Sequence, residues 1–599
     1  MSGRAGGTGS ALTWAALREV RCAELEGAAD GWGRVSNRAD AARDRVEGQL
    51  LPGLRETQKG EAADAAVRRL RRLGANFQYI YTECGLLRTA LNSLAHEIRA
   101  QQRVLQGALD DANALRFTVH ADGSVTYPAA GEGLVDGSPL PGGTASGVPN
   151  PGMVTPSGLV APNPNAGKAQ DIADRVAQAV RTAADADWRY ARILRSLKAQ
   201  EGLGVSTVTW TDAASDAAAV RQAARDYLRD AIPYDASPAE RKAWWAALTD
   251  EQREEYLAVY PDRIGNLDGI PALVRDAANR DNLQLLIGKL EGLHGDDDAE
   301  TKLAALREID RQLRAGTKPG EPPMYLLGIG DQGNGRAIVS YGNPDTSRNV
   351  AAYVPGLNTS LDMGFAEGDL KRARDTAGAA RDIDHSSAVI TWLGYDAPQS
   401  PDGWSSLAVA GSGRAEIGGH AFNEFMAGLV ASNDHADPNL TAIGHSYGSR
   451  TVGAATQEGG GIPGVTDIVL VGSPGVGVDR AEDLGVGRDH VYVGAAENDV
   501  VTKLPASENA VISGMGRAMG PPGSLLTNLV NGSGDDLWFG TNPASEEFGG
   551  RRFEADPGPL FSLDAHSQYF DPQMDSSSAG SIALIAAGRG HEVKQERPR

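Results

Sequence analysis

Between residues 323 and 496 short, continuous apolar runs alternate with helix-like stretches, and this rhythm limits the possible fold more than any other feature of the chain. The runs are MYLLGIGD, RAIVSYG, NVAAYVPGL (349–357), SSAVITWLGYD (386–396), NLTAIG (439–444), TDIVLVG (466–472) and HVYVGAA (490–496). A strand with one wet face alternates polar and apolar residues, so runs without alternation predict strands covered on both faces. Segments near 361–380, 415–432 and 449–457 carry helical character between them. Strands and helices in turn predict an α/β domain on a mostly parallel sheet. The first two runs, joined by Gln-Gly-Asn-Gly, predict a hairpin at its start.

The upstream half has a different period. A chain of 599 residues exceeds one core and suggests roughly three or four domains. Leu70, Leu73, Phe77, Ile80, Cys84, Leu87, Leu91, Leu94 and Ile98 recur every three or four residues, which predicts one apolar stripe along a helix. An earlier helical stretch, broken from it by Leu51-Pro52-Gly53 through Gly60, completes a helical hairpin or bundle over 1–120. On the stripe Cys84 reads as a buried apolar thiol. Residues 121–165 are rich in Pro, Gly and Ser and predict a linker. A second helical region over 166–318 prefaces the α/β domain, with Ile172, Val176, Val180, Ala184, Trp188, Ala191 and Leu194 as its first apolar face. Ser237-Pro238-Ala239-Glu240 and Thr249-Asp250-Glu251-Gln252 are capping boxes, and 264–271 reads as a turn between helices. The α/β domain takes 319–590, and 591–599 is a charged tail.

Charge excludes some function classes. The chain carries 57 basic and 78 acidic residues, a formal −21, which argues against nucleic acid and anionic membranes as partners. Only Cys22 and Cys84 are present, no disulfide framework, and no run approaches the ~18 apolar residues of a membrane span. With no signal-like apolar segment at the start, the expected location is the cytoplasm.

The chemistry centres on TAIGHSYGS (441–449), a G-x-S-x-G pattern. It joins the strand 439–444 to a helix beginning just after it, the context in which such a serine becomes a nucleophile. Ser446 is the predicted nucleophile. Gly444 and Gly448 are the small elbow residues that let segments approach, and the backbone N–H of Tyr447 is one oxyanion donor. The second donor is expected after the strand 349–354, at the backbone N–H of Leu357. His445, adjacent to the serine, reads as a packed residue rather than a base. The base should lie downstream: His566, in FSLDAHSQYFDP, is the candidate, while His591 belongs to the charged tail. Asp499, following the strand 490–496, is the candidate acid; Asp479 is the rival and Asp564 a third choice. No metal site and no cofactor are expected: the histidines lack metal-binding spacing, and Gly328-x-Gly330 lacks a phosphate-loop lysine.

With YGNPDTSRNVAAYVPG, TAIGHSYGS, VLVGSPGVGVDRA and AHSQYF in order, and WWAALTDEQREEYLAVYPDRIGNLDGIPALVRDAANRDNL ahead of them, the chain resembles an actinobacterial α/β-hydrolase family whose defining domain has no assigned function. The resemblance covers about 230–575 and implies an α/β-hydrolase-type sheet with Ser446, Asp499 and His566 as its triad. A looser likeness to class 3 lipases, in VGSPGVG followed by NDVVTKLP, favours Asp499 over Asp479. The N-terminal hairpin is similar to the W-x-G helical hairpins of type VII secretion, although the corresponding turn, Gln58-Lys59-Gly60, lacks the tryptophan; export by that route stays open.

The expectation is therefore a serine hydrolase, esterase- or lipase-like, acting through an acyl-enzyme on a small or lipid-like ester. Residues 505–560 are expected as a possible lid, with Trp538 and Phe539 as acyl contacts or packing residues. The rival expectation is a secretion-linked interaction protein whose N-terminal helices bind a partner or self-associate.

Overall fold

The computed structural model describes residues 12–132, 137–147, 163–197, 204–317, 320–399, 412–503, 536–559 and 564–597. Tertiary contacts divide the chain into two compact units. One comprises Met1–Val46, Ala65–Gly204 and Ser215–Ile232, the other Glu47–Asp64, Val205–Ala214 and Pro233–Arg599.

The apolar runs of the second unit become eight strands of one sheet, numbered here β1 (Met324–Gly330), β2 (Arg336–Tyr341), β3 (Asn349–Val354), β4 (Ser387–Leu393), β5 (Asn439–His445), β6 (Val465–Val471), β7 (Val491–Gly494) and β8 (Arg551–Phe553). Hydrogen-bonded neighbours run β1-β2-β4-β3-β5-β6-β7-β8. β2 is antiparallel to β1 and to β4, so the predicted hairpin opens the sheet. All other pairs are parallel. β3 shows why its run lacks alternation: Ala351 and Tyr353 enter one core, and Val350, Ala352 and Val354 enter the core on the opposite face. The first core is closed by Ala373, Ala377 and Ala380 of helix Leu370–Ile383, by helix Ser576–Ala586, and by helices Ala272–Glu291 and Asp297–Ala315. The second is closed by Phe422, Phe425, Met426 and Leu429 of helix Gly413–Ser432 and by helix Tyr447–Thr456. From β3 the chain proceeds to β4 on one side, whereas from β5 it proceeds to β6 on the other. The order reverses there, opening a crevice at the carboxyl ends of β3 and β5, where sheets of this type bind ligands.

Both capping boxes form, at Ser237 with Glu240 and at Thr249 with Gln252. The turn 264–271 is structural: Asn266 donates to the Ile329 carbonyl (2.9 Å) and accepts from the Ile329 N–H (2.9 Å), and Asp268 pairs with Arg275 at 2.8 Å.

Four expectations change. The region 121–165 is not simply a linker, because Thr118–Val119, Val125–Tyr127 and Gly143–Ala145 form a three-stranded antiparallel sheet. Val125 and Ala145 are buried, and the Asn163 side chain donates to the carbonyls of Pro128, Leu140 and Pro141. The helix that follows, Pro164–Ser196, supplies the apolar surface that so polar a segment lacks by itself. That helix buries Ile172, Val176, Ala179, Ala183, Ala186, Tyr190 and Ile193, and leaves Trp188 65% exposed. A step of four residues turns ~400°, so a stripe built on repeated fours drifts off the buried face, while alternating fours and threes stay on it. The expected 166–318 region accordingly splits between the two units: residues up to 204, and 215–232, group with the N-terminal helices, and the rest with the sheet. Last, the tail 591–599 does not hang free over its described part. Gln595 bridges Phe553 of β8, the Glu596 N–H donates to the Arg552 carbonyl (2.8 Å), and Arg552 pairs with Glu596 at 2.9 Å. An edge strand offers open backbone groups, and this segment takes them.

Among the described residues no helix is long and apolar enough to cross a membrane.

Candidate active site

β5 ends at His445, and Ser446 turns the chain directly into helix Tyr447–Thr456. The turn is sharp enough to hold Ser446 at φ 56°, ψ −130°, one of three non-glycine residues at positive φ among those described. Such a backbone costs of order 1–3 kcal/mol and persists only where its surroundings impose it. Gly444 and Gly448 make the turn sterically possible: a Cβ on Gly444 would strike Ser449, and one on Gly448 would strike the Val354 carbonyl at the end of β3. The Ser446 N–H donates to the Val471 carbonyl (3.0 Å), tying the elbow to β6. Among the described residues the Ser446 Oγ, almost fully buried, has no hydrogen-bond partner.

The loop after β3 lies against this elbow. A Cβ on Gly356 would sit 2.7 Å from the Ser446 Cβ and 2.9 Å from the Tyr447 N. Leu357 follows it, nearly buried, and lines a cavity of about 250 Å³ together with Ser446, His445 and His566.

His566 lies on the short helix Asp564–Ser567, and its Nδ1 is 2.9 and 3.0 Å from the two carboxylate oxygens of Asp499, which follows β7. Both side chains are buried. Burial pushes the Asp499 carboxyl up, but the His566 imidazole, the Tyr569 hydroxyl and the Val501 N–H together hold it below the ordinary carboxylate value. An ionised carboxylate only accepts, so Nδ1 of His566 carries the proton and Nε2 is the basic nitrogen. Of the alternative acids, Asp479 is exposed and accepts from the Thr541 hydroxyl at 3.5 Å, and Asp564 is exposed at the start of its helix. His591 is exposed and 3.6 Å from Glu592. Only Asp499 of these carboxylates is brought to His566.

Two supporting residues, Tyr569 and Gly472, were not anticipated, and His445, expected as a packed residue, also holds the His566 backbone. The Tyr569 hydroxyl accepts from the Ala496 N–H (2.9 Å) and donates to Asp499 Oδ2 (2.6 Å). Gly472, at φ 56°, admits the pair: a Cβ there would lie 2.8 Å from His566 Cε1 and 3.0 Å from Asp499 Oδ2. His445 donates through Nε2 to the His566 carbonyl (2.8 Å), and the two imidazoles stack with centroids 4.7 Å apart. Burial first, then the neighbouring His566 and Arg372, hold the His445 pKa well below its ordinary value, so it is a neutral clamp on the His566 backbone. Tyr569 lies three residues after His566, in the single turn Gln568–Phe570 that follows the short helix.

The hairpin Asp536–Leu537/Gly540–Thr541 contains Trp538 and Phe539; residues 505–535 and 560 of the expected lid lie outside the described residues. Phe539 packs edge-on against Tyr447 (5.7 Å), and its N–H donates to the Pro474 carbonyl at 3.1 Å. Among the described residues no group of three or more His, Cys, Asp or Glu side chains could hold a metal ion.

A mostly parallel eight-stranded sheet with a strained serine at the tip of β5, and a buried Asp–His pair after β7 and β8, defines an α/β-hydrolase fold. A family profile described as Alpha/beta hydrolase matches residues 331–509. Uncharacterized protein Rv0963c of Mycobacterium tuberculosis strain H37Rv is 35% identical over 217 residues, covering 35% of this chain and 76% of that protein. Uncharacterized protein Rv2079 of the same strain is 31% identical over 381 residues, 59% of this chain and 56% of that protein. The chain thus spans little more than half the length of this second relative. An esterase structure from Pyrobaculum calidifontis aligns at 12% identity and a TM-score of 0.26, covering 51% of this chain and 97% of that one. The chain belongs to the α/β-hydrolase family.

Proposed function

We propose that the chain is a serine hydrolase that cleaves carboxylic esters through an acyl-enzyme on Ser446. One observation carries the reading: the buried Asp499–His566 pair ends at a cavity that Ser446 also lines. His566 Nε2 takes the Ser446 hydroxyl proton as Oγ bonds to the ester carbonyl carbon, and the carbonyl electrons move onto oxygen. The backbone N–H groups of Tyr447 and Leu357 stabilise that oxyanion. Its collapse expels the alkoxide, which takes the proton from Nε2. Water then repeats the sequence and releases the acid. Asp499 orients the imidazole and stabilises its protonated form, and Tyr569 and His445 are positioning residues for that pair. We place this activity in the cytoplasm, on the sparse cysteine content. A fluorophosphonate probe tests the reading: labelling that Ser446→Ala abolishes is expected, and no labelling of folded wild-type chain overturns it.

A second role for the N-terminal helices, binding a protein partner as the W-x-G hairpins do, is favoured by one feature. Trp32 and Val35, one turn apart on helix Cys22–Arg45, are 41% and 40% exposed. Loss of a co-purifying partner from the full chain on Trp32→Ala with Val35→Ser would support it.

A further inference from the structure

The cavity beside Ser446 has walls of unusual character for an esterase reading. Its volume of about 250 Å³ is below the ~300–1,000 Å³ of sites that enclose drug-sized ligands. Of the described residues lining it, Leu357 and Phe365 alone bring large apolar side chains. One wall is the helical face Gly364, Gly368, Arg372, built from a π-turn over Phe365–Asp369 that runs into helix Leu370–Ile383. A Cβ on Gly368 would meet nothing within 4 Å, so this glycine faces open space.

The polar groups of this wall are unequally occupied. Asp362 accepts from the Phe365 N–H (2.9 Å) and the Ser360 hydroxyl (2.7 Å). Asp369 accepts from the Tyr353 hydroxyl (2.8 Å) and from Arg372 Nη1 (2.9 Å). Arg372 spends only Nη1, on Asp369 and on the Tyr353 oxygen (3.2 Å). Among the described residues its Nε and Nη2 have no hydrogen-bond partner, and the side chain is 25% exposed. The guanidinium is therefore fixed in the wall of the nucleophile's own cavity with donors to spare. Asp369 already takes one side of this guanidinium and Asp362 lines the same cavity, so a further full negative charge meets repulsion, whereas a neutral oxygen acceptor gains a charge-assisted hydrogen bond without it.

Resting on the serine hydrolase reading, we propose that the substrate group next to the reacting carbonyl is small, neutral and oxygen-bearing, that it occupies this cavity, and that Arg372 reads its acceptor. A long fatty acyl chain is not the preferred group.

The test uses the full chain and four nitrophenyl esters: a methoxybutyrate, its isostere the hexanoate and a glutarate half-ester carrying a free carboxylate, all of matched length, and a much longer palmitate. The expected kcat/KM for the methoxybutyrate exceeds that for the hexanoate about tenfold, the effect of one hydrogen bond to a charged donor, and exceeds those for the other two. Arg372→Met should erase that preference through KM. Because Arg372 also holds Asp369, Gly368→Leu provides a second variant that fills the cavity without disturbing it. It should depress turnover of methoxybutyrate and hexanoate alike at least about tenfold while a small fluorophosphonate still labels Ser446. Wild-type preference for hexanoate, glutarate or palmitate, or unchanged turnover in Gly368→Leu, overturns the proposal. If the wild-type chain takes no fluorophosphonate label, the hydrolase reading itself falls, and the two failures are thereby told apart.

Discussion

His445 touches Ser446 through the chain and His566 through space, and its burial makes it a sensor of acid. Its folded pKa is held well below the ordinary value, so below about pH 6.5 the unfolded chain takes up a proton that the folded chain refuses. The sign follows: the stability is complete above that pH and is lost as pH falls toward the folded value, at up to ~1.4 kcal/mol per pH unit. Urea unfolding between pH 7.5 and 5.5 should show this slope, and His445→Gln, which keeps a donor but cannot titrate, should flatten it. At this scale the sequence was legible where chemistry is local. The elbow of Ser446, Gly444 and Gly448 could be read because strand, turn and helix are contiguous, whereas chain order left Asp499 and Asp479 both open as the partner of His566. Tyr569, Gly472 and Arg372 escaped because their significance depends on what folding sets opposite them: a carboxylate, an imidazole and an open cavity.

Elements were legible in proportion to their regularity. The continuous strands and both capping boxes follow from pattern, since burial on both faces and side-chain caps leave direct marks. The helix Pro164–Ser196 shows how a pattern misleads: Trp188 is its largest apolar residue and lies on the wrong face, its ring met by the Arg192 guanidinium at 5.2 Å. Between Val176 and Ile193 the buried face is marked by Ala179, Ala183, Ala186 and Tyr190, which a stripe drawn through Trp188 passes over. Trp188→Ala should cost under about 1 kcal/mol, the loss of an exposed cation–π contact. Tyr190→Ala should cost about 3–5 kcal/mol, since its ring is fully buried and its hydroxyl donates to Glu97 (2.8 Å) and the Ala223 carbonyl (2.9 Å). Chemical unfolding of both variants checks the assignment. The three short strands over 118–145 left no comparable mark, because two- and three-residue strands among Pro and Gly have no period to read.

At the scale of the molecule, each unit has buried apolar residues of its own, and the division does not follow chain order. Two cores predict two cooperative unfolding events rather than one. Calorimetry should resolve two transitions, with fluorophosphonate labelling of Ser446 lost at the one that melts the sheet; a single transition whose calorimetric and van't Hoff enthalpies agree would contradict this. The sheet's last strand has a further implication. Glu596 and its neighbours clasp β8, and β8 leads toward the segment that presents His566. Cutting that clasp at Glu596 therefore tugs on the rung from which the imidazole is hung, so a change well downstream of His566 alters how firmly the ring is held.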